Sequence, residues 1–196
     1  MTKKIKTVCV YCSSSNKVKQ EFKDTTEELG TILANAGKTV VYGGAKSGLM
    51  GLIADSTLAG GGKVIGVITS YLQNLEVEHD GLTEAHIVET MHERKAMMVD
   101  KSDAFIILPG GVGTLEELVE VATWRQLGLH EKPIIIVNTD NYWDSFLDMM
   151  DKMVEENCML LAHKTIFQVV KSPADVLSAL KSFQADSFDV KSKWDD

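Results

Sequence analysis

The tetrapeptide Ile134-Ile135-Ile136-Val137 is apolar at every position, so both faces of any strand it forms must be covered. A strand wet on one side alternates apolar and polar residues, whereas one buried between two layers of helices does not need to. With Pro133 the tetrapeptide makes the run Pro133 to Val137, and other β-rich runs are Lys6 to Tyr11, Thr39 to Tyr42, Val64 to Ile68, Ala85 to Val88 and Ala104 to Leu108. Helical patterns separate them. Phe22, Leu29, Ile32, Leu33 and Ala36 fall at helical spacing and stop at Gly37, a suitable left-handed cap. Leu115, Leu118, Val119 and Ala122 mark another helical stripe, expected to face the core. The alternation predicts a doubly wound, mostly parallel α/β sheet of Rossmann-like type, with residues 1–183 forming a single domain. From Gln184 to Asp196 the apolar periodicity is lost, and this tail is expected to be frayed or disordered. There is no internal repeat or low-complexity tract. Ser70 to Thr83 is acidic, weakly periodic and longer than the usual connection of such folds, which marks it as a functional loop.

The charge balance narrows the partners. Twenty lysines and arginines against 28 aspartates and glutamates leave −8, which argues against a chain-wide affinity for nucleic acid or an anionic membrane. No apolar run reaches the ~20 residues of a membrane helix, and a cytoplasmic location is expected. Cys9, Cys12 and Cys158 are too few for a disulfide scaffold. Cys9-Val-Tyr-Cys12 lies in a strand pattern that points its two thiols to opposite faces, with no second pair to complete a zinc site. The five histidines show no ligand spacing, so no metal is expected and the histidines are read as surface or packing residues.

Ligands of open α/β sheets sit beyond the carboxyl ends of the strands. After Val41-Tyr42 comes Gly43-Gly44-Ala45-Lys46-Ser47-Gly48-Leu49-Met50-Gly51, whose glycines would let backbone amides converge on an anion. It is not a nicotinamide site, because the strand ending at Ile68 runs into Thr69-Ser70 with no carboxylate for a ribose, nor a P-loop, because Gly48 is followed by Leu49-Met50. After Leu108 comes Pro109-Gly110-Gly111-Val112-Gly113-Thr114, an anion nest suited to phosphate at a helix start. Thr114-x-x-Glu117 also spells a capping box, so at this point Glu117 is either a cap or a functional carboxylate. Met91-His92-Glu93-Arg94-Lys95 opens a further helix with two cations that oppose its dipole, which an anionic ligand would explain; the bland alternative is a solvated charged turn.

Together, Tyr42-Gly43-Gly44 with Gly48-Leu49-Met50-Gly51, Met91-His92-x-Arg94-Lys95 and Pro109-Gly110-Gly111-x-Gly113-Thr114-x-x-Glu117 resemble the Lonely Guy family of cytokinin-activating phosphoribohydrolases. The resemblance runs from about Val8 to Asn138 and includes Ala122-Thr123-Trp124 and Lys132-Pro133. It departs at Cys12-Ser13-Ser14-Ser15, where the family often has Cys-Gly-Ser-Ser, and at Ala45, where a third glycine is common. It implies hydrolysis of the N-glycosidic bond of N6-substituted adenosine 5′-monophosphates, or of AMP, to free base and ribose 5-phosphate. It implies Arg94 and Glu117 as the catalytic pair. Gly43, Gly44, Glu76, Lys95, Gly110, Gly111, Val112, Gly113, Thr114, Leu115, Glu116 and Thr123 would then bind the substrate. Glu117 would meet the positive charge developing on the sugar and deprotonate water, while Arg94 positions the ribose or phosphate and keeps Glu117 ionised. No cofactor is needed, and a homodimer is implied. A nucleotide-binding module without turnover is the other class, and it would have no use for Glu117. The lysine decarboxylase label that many relatives carry finds no support in these motifs.

Overall fold

The computed structural model describes residues 4–75 and 78–183. Seven strands, β1 (Thr7–Tyr11), β2 (Thr39–Tyr42), β3 (Lys63–Thr69), β4 (Glu84–Val88), β5 (Ala104–Ile107), β6 (Ile134–Val137) and β7 (Gln168–Val170), form one sheet in the order β4-β3-β2-β1-β5-β6-β7. Every pairing is parallel. The helices are α1 (Gln20–Asn35), α2 (Gly48–Ala59), α3 (Ser70–Leu75), α4 (Met91–Asp100), α5 (Val112–Gln126), α6 (Asp144–Glu155) and α7 (Val176–Ser182). The doubly wound parallel architecture expected from the doubly apolar strands is the one observed.

Alternation along each strand divides the core between two layers. Val8, Val10, Ile135 and Val137 pack under α1, α2 and α7, whereas Cys9, Tyr11, Ile134 and Ile136 pack under α4 and α5. Cys9 and Cys12 are buried on opposite sides of the sheet, as the period-2 rule requires, and both are free thiols. Four elements escape the sequence pattern: β7, three residues long, α6 and α7 beyond the last predicted strand, and α3, which lies inside the segment read as a loop, at its first six positions.

The strand order reverses direction at β1, so the crevice for a ligand opens above the carboxyl ends of β1 and β5. The loops that leave these strands touch there: the Ser13 N–H donates to the Pro109 carbonyl at 3.2 Å. Topology alone therefore selects the Pro109-Gly110-Gly111 turn as a wall of the site. Among the described residues, no helix is long and apolar enough to cross a membrane.

Candidate active site

Helix α5 begins three residues earlier than its apparent capping box requires. Gly111 is the N-cap, in extended backbone, and no side chain caps the helix. Thr114 is thus the third residue of the helix and is buried against Gly110, where an added Cβ would lie 2.1 Å from Thr114 Oγ1. Glu117 sits a turn further on and points inward. The capping alternative for Thr114 and Glu117 is overturned. The box is at α4 instead: the Glu93 N–H donates to Thr90 Oγ1 at 3.1 Å, and the Thr90 N–H to Glu93 Oε2 at 3.1 Å. The first amides of α5 face outward among the exposed Gly111, Val112 and Gly113, with no cap in their way. Such a terminus attracts an anion through both its free N–H groups and its dipole.

The glycine turn after β2 behaves differently. The Gly48 N–H donates to Asn16 Oδ1 at 2.8 Å, and the Leu49 N–H to the Ser13 carbonyl at 2.9 Å. The loop after β1 therefore occupies the N-terminus of α2, and this turn is scaffold where an anion nest was expected. Its glycines serve close approach. An added Cβ on Gly43 would lie 2.1 Å from Arg94 Nη2.

Arg94, buried in the first turns of α4, reaches three elements. Its Nε donates to the Val67 carbonyl at 3.0 Å, Nη2 to the Gly43 carbonyl at 3.3 Å and Nη1 to Glu117 Oε1 at 3.4 Å. Lys95 Nζ binds Glu116 and, at 3.0 Å, Glu120. Each cation of the Arg94-Lys95 pair thus already meets carboxylates of α5, which explains their place at a helix start without a ligand. Glu117 differs from expectation. Burial pushes its carboxyl up to about 7, against the pull of Arg94, because one long contact does not offset the loss of water.

A family model described as "Possible lysine decarboxylase" matches residues 50–180. The cytokinin riboside 5′-monophosphate phosphoribohydrolase LOG1 of Arabidopsis thaliana is 44% identical over 180 residues, 92% of this chain and 84% of that protein. The chain belongs to the Lonely Guy family of phosphoribohydrolases. A probable Lonely Guy enzyme of Oryza sativa subsp. japonica, LOGL6, is 43% identical over 176 residues, 90% of this chain and 70% of that protein. The fold reaches further than the family. The molybdenum cofactor binding protein of Rippkaea orientalis superposes with a TM-score of 0.71 at 19% identity, covering 92% of this chain and 98% of that one.

The positions that the Lonely Guy resemblance marks are not all brought together. Arg94, Glu117, Gly43 and the Gly110 to Thr114 turn converge, and the Gly44 carbonyl accepts the His79 N–H at 3.1 Å behind them. Lys95 and Glu116 are paired with each other. Leu115 and Thr123 lie on the exposed side of α5, with Thr123 about 13 Å along the helix from Thr114 at ~1.5 Å per residue. Glu76 lies outside the described residues, as does the 184–196 tail. Two contributors carry no signal in the Lonely Guy motifs, Asn16 and Tyr142, whose hydroxyl donates to the Gly110 carbonyl at 2.5 Å, and a third, His79, falls in the segment Leu75-Glu76-Val77-x-His79, which the resemblance marks only for Glu76. His79 is neither a surface residue nor simple packing, since both its ring nitrogens are bonded.

Proposed function

We propose that the chain hydrolyses the N-glycosidic bond of N6-substituted adenosine 5′-monophosphates and of AMP, giving the free base and ribose 5-phosphate. One observation carries this reading: a buried carboxyl whose pKa lies near neutrality stands beside an arginine, one turn inside an uncapped helix N-terminus. The phosphate would rest on the outward amides around Gly111 to Thr114, fixing the sugar with its C1′ toward Glu117. As the C1′–N bond breaks, the bonding electron pair leaves with the base and positive charge builds on the sugar, where ionised Glu117 stabilises it. Water adds to C1′ and gives its proton to Glu117, which later returns it to solvent, while the departing base takes a proton from solvent. Arg94 holds the carboxylate and, as the nearest cation, the ribose or phosphate. The scheme uses no metal or redox cofactor. The cytokinin monophosphate substrate follows the names of relatives above 40% identity.

Residues 1–183 are read as a single catalytic domain, and the free buried thiols suit a reducing cytoplasm. A homodimer fits the same picture. Leu115 and Val119, expected in the core, are exposed on the outer side of α5, and Thr123 lies beyond them on the same exposed side, where a second copy would bring it to a site.

Incubation with AMP, isopentenyladenosine monophosphate and adenosine, followed by chromatography for free base, tests the reading. Release from the monophosphates and much less from adenosine is expected, because phosphate binding positions the sugar. Binding without release would leave a nucleotide-binding module, and equal turnover of adenosine and AMP would remove the phosphate anchor.

A further inference from the structure

His79 is buried, and its two ring nitrogens have unlike partners. Nδ1 accepts the Gly81 N–H at 3.1 Å, and Nε2 lies 2.9 Å from Asp55 Oδ1 on α2. A nitrogen that accepts from a backbone amide carries no proton, so the ring proton is on Nε2 and is donated to the carboxylate. The backbone of the same residue donates to the Gly44 carbonyl at 3.1 Å, and Glu78 forms an antiparallel bridge with Ala45. Outside these, Lys46 pairs with Asp80 at 3.1 Å. Residues 78–81 are thus strapped onto the turn after β2 and pinned at one side by an imidazole.

That turn is the one whose Gly43 carbonyl holds Arg94 Nη2 at 3.3 Å. The contacts run without a break from Asp55 through His79, Gly44 and Gly43 to Arg94 and Glu117. A guanidinium directed by two carbonyls is placed only as well as those carbonyls are. Displacements near 1 Å far from the reacting atoms can cost about 100-fold in rate.

We propose that His79, oriented by Asp55, is a positioning residue for the hydrolysis: it fixes the Gly43-Gly44 backbone that aims Arg94 at Glu117. The proposal rests on the hydrolase reading above for its effect on rate, but its structural half stands apart from that reading. On that reading the α5 amides carry most of the phosphate binding while Arg94 serves Glu117 and the charge that develops on the sugar, so the latch acts mainly on kcat and moves KM little.

Asp55 is largely exposed, with 64% of its side chain accessible, so its variants keep the fold. Asp55→Asn retains an oxygen for the Nε2 proton, and Asp55→Ala does not. Asp55→Ala is expected to lower kcat about tenfold with KM for AMP within about twofold, and Asp55→Asn to restore kcat to within about twofold of wild type. Nitrogen-15 NMR reads the same latch without turnover. The wild-type His79 Nδ1 signal is expected at the unprotonated position, and the Arg94 Nη2 protons are expected to exchange faster in Asp55→Ala than in wild type or Asp55→Asn. Slower turnover without faster Arg94 exchange, faster exchange without slower turnover, or a lower melting temperature with both unchanged would each overturn the proposal. If the wild-type chain releases no base at all, the hydrolase reading fails. The Arg94 exchange rates then decide the latch on their own, with equal rates in the two variants overturning it.

Discussion

Arg94 Nη1 meets Glu117 Oε1 at 3.4 Å, a single long contact in a place where arginine and carboxylate could have formed a short two-pronged pair. The other two guanidinium nitrogens are committed to the Val67 and Gly43 carbonyls, which prevents the fork from turning onto the carboxylate. The pair is therefore loose enough for burial to dominate Glu117, and its carboxyl rises to about 7. A group so poised exchanges a proton with water near neutral pH, which is what the proposed hydrolysis asks of it.

Glu117→Gln preserves shape and removes the ionised form. It should lower kcat by about 10²–10⁴, the usual range for loss of a positioned acid or base. The fold should survive, because Glu117 caps no helix and a neutral amide is easier to bury than a carboxylate. Activity assays beside thermal unfolding check this, and a near-wild-type rate in Glu117→Gln would return Glu117 to a structural role.

The same carboxyl makes stability depend on pH in a definite direction. Its ordinary value is 4.5 and its folded value about 7, so between these the unfolded chain has released a proton that the native state retains. Folding is therefore favoured less and less as pH rises from about 4.5 to about 7, and the deficit, about 3 kcal/mol, is complete above that. Urea unfolding of wild type and Glu117→Gln at pH 5 and pH 8 should show the variant gaining relative stability at the higher pH. In wild type, kcat/KM should rise through an apparent pKa near 7. A difference between the two proteins that does not change with pH would contradict the assignment.

Much of this was legible from the chain, and the misreadings have physical causes. Five strands follow from apolar runs to within a residue or so, because a strand buried on both faces admits little else, and the sixth, β4, follows from its apolar residues although it is a largely exposed edge strand. Gln168–Val170 could not be read that way, since three residues at a sheet edge, with Val169 exposed, leave no pattern. Thr90-x-x-Glu93 and Thr114-x-x-Glu117 are the same motif in sequence, and only the position of the helix start tells cap from site. The stripe on α5 misled for a related reason. Thr114, Glu117 and Arg125 are among its inward residues, so polarity is inverted where the helix lines the site and Leu115 and Val119 face out.

Arg94→Ala should cost both stability and activity. It leaves the Val67 and Gly43 carbonyls without their donors and a buried carboxyl without its counter-charge. About 2–3 kcal/mol of destabilisation is expected, with a rate loss of at least about 10². Arg94→Lys should recover little of the rate, because an ammonium cannot reach three divergent acceptors at once. Denaturant melts together with kcat measurements on both variants check the ordering. An active Arg94→Lys enzyme would mean that charge alone suffices.

Tyr142 reports on the phosphate turn from outside. Its hydroxyl holds the Gly110 carbonyl, and its ring stacks edge-on against Phe22 and Trp143. It follows Asp140 and Asn141, both with left-handed backbone at φ 52° and 56°, conformations that cost non-glycine residues free energy. Tyr142→Phe keeps the ring contacts and loses one hydrogen bond, worth about 1 kcal/mol. If the turn binds the phosphate as proposed, KM for AMP should rise about threefold to tenfold at nearly constant kcat, because that contact is remote from the reacting carbon. Unchanged KM would show that Gly110 is held by its packing on Thr114 alone.

The outer face of α5 gives the last prediction. Leu115 and Val119 are one turn apart and exposed along the edge of a stripe whose Leu118 and Ala122 are buried, and Val112, 85% exposed, precedes them. Helix α6 has no fully buried residue, and only Phe146, Leu147 and Met150 lean on the core. Apolar side chains grouped in this way mark a contact surface more often than a free one. In a two-fold dimer the α5 helix of each copy would meet its counterpart, and Thr123 of one would approach the site of the other. Leu115→Glu with Val119→Glu should then convert a dimer to a monomer of about 21.5 kDa and lower specific activity, although neither residue touches Glu117's buried side of the helix. Light scattering across a dilution series, paired with activity at each concentration, checks both halves. A wild-type monomer that is fully active at every concentration would defeat the dimer and leave Thr123 without a role in the site.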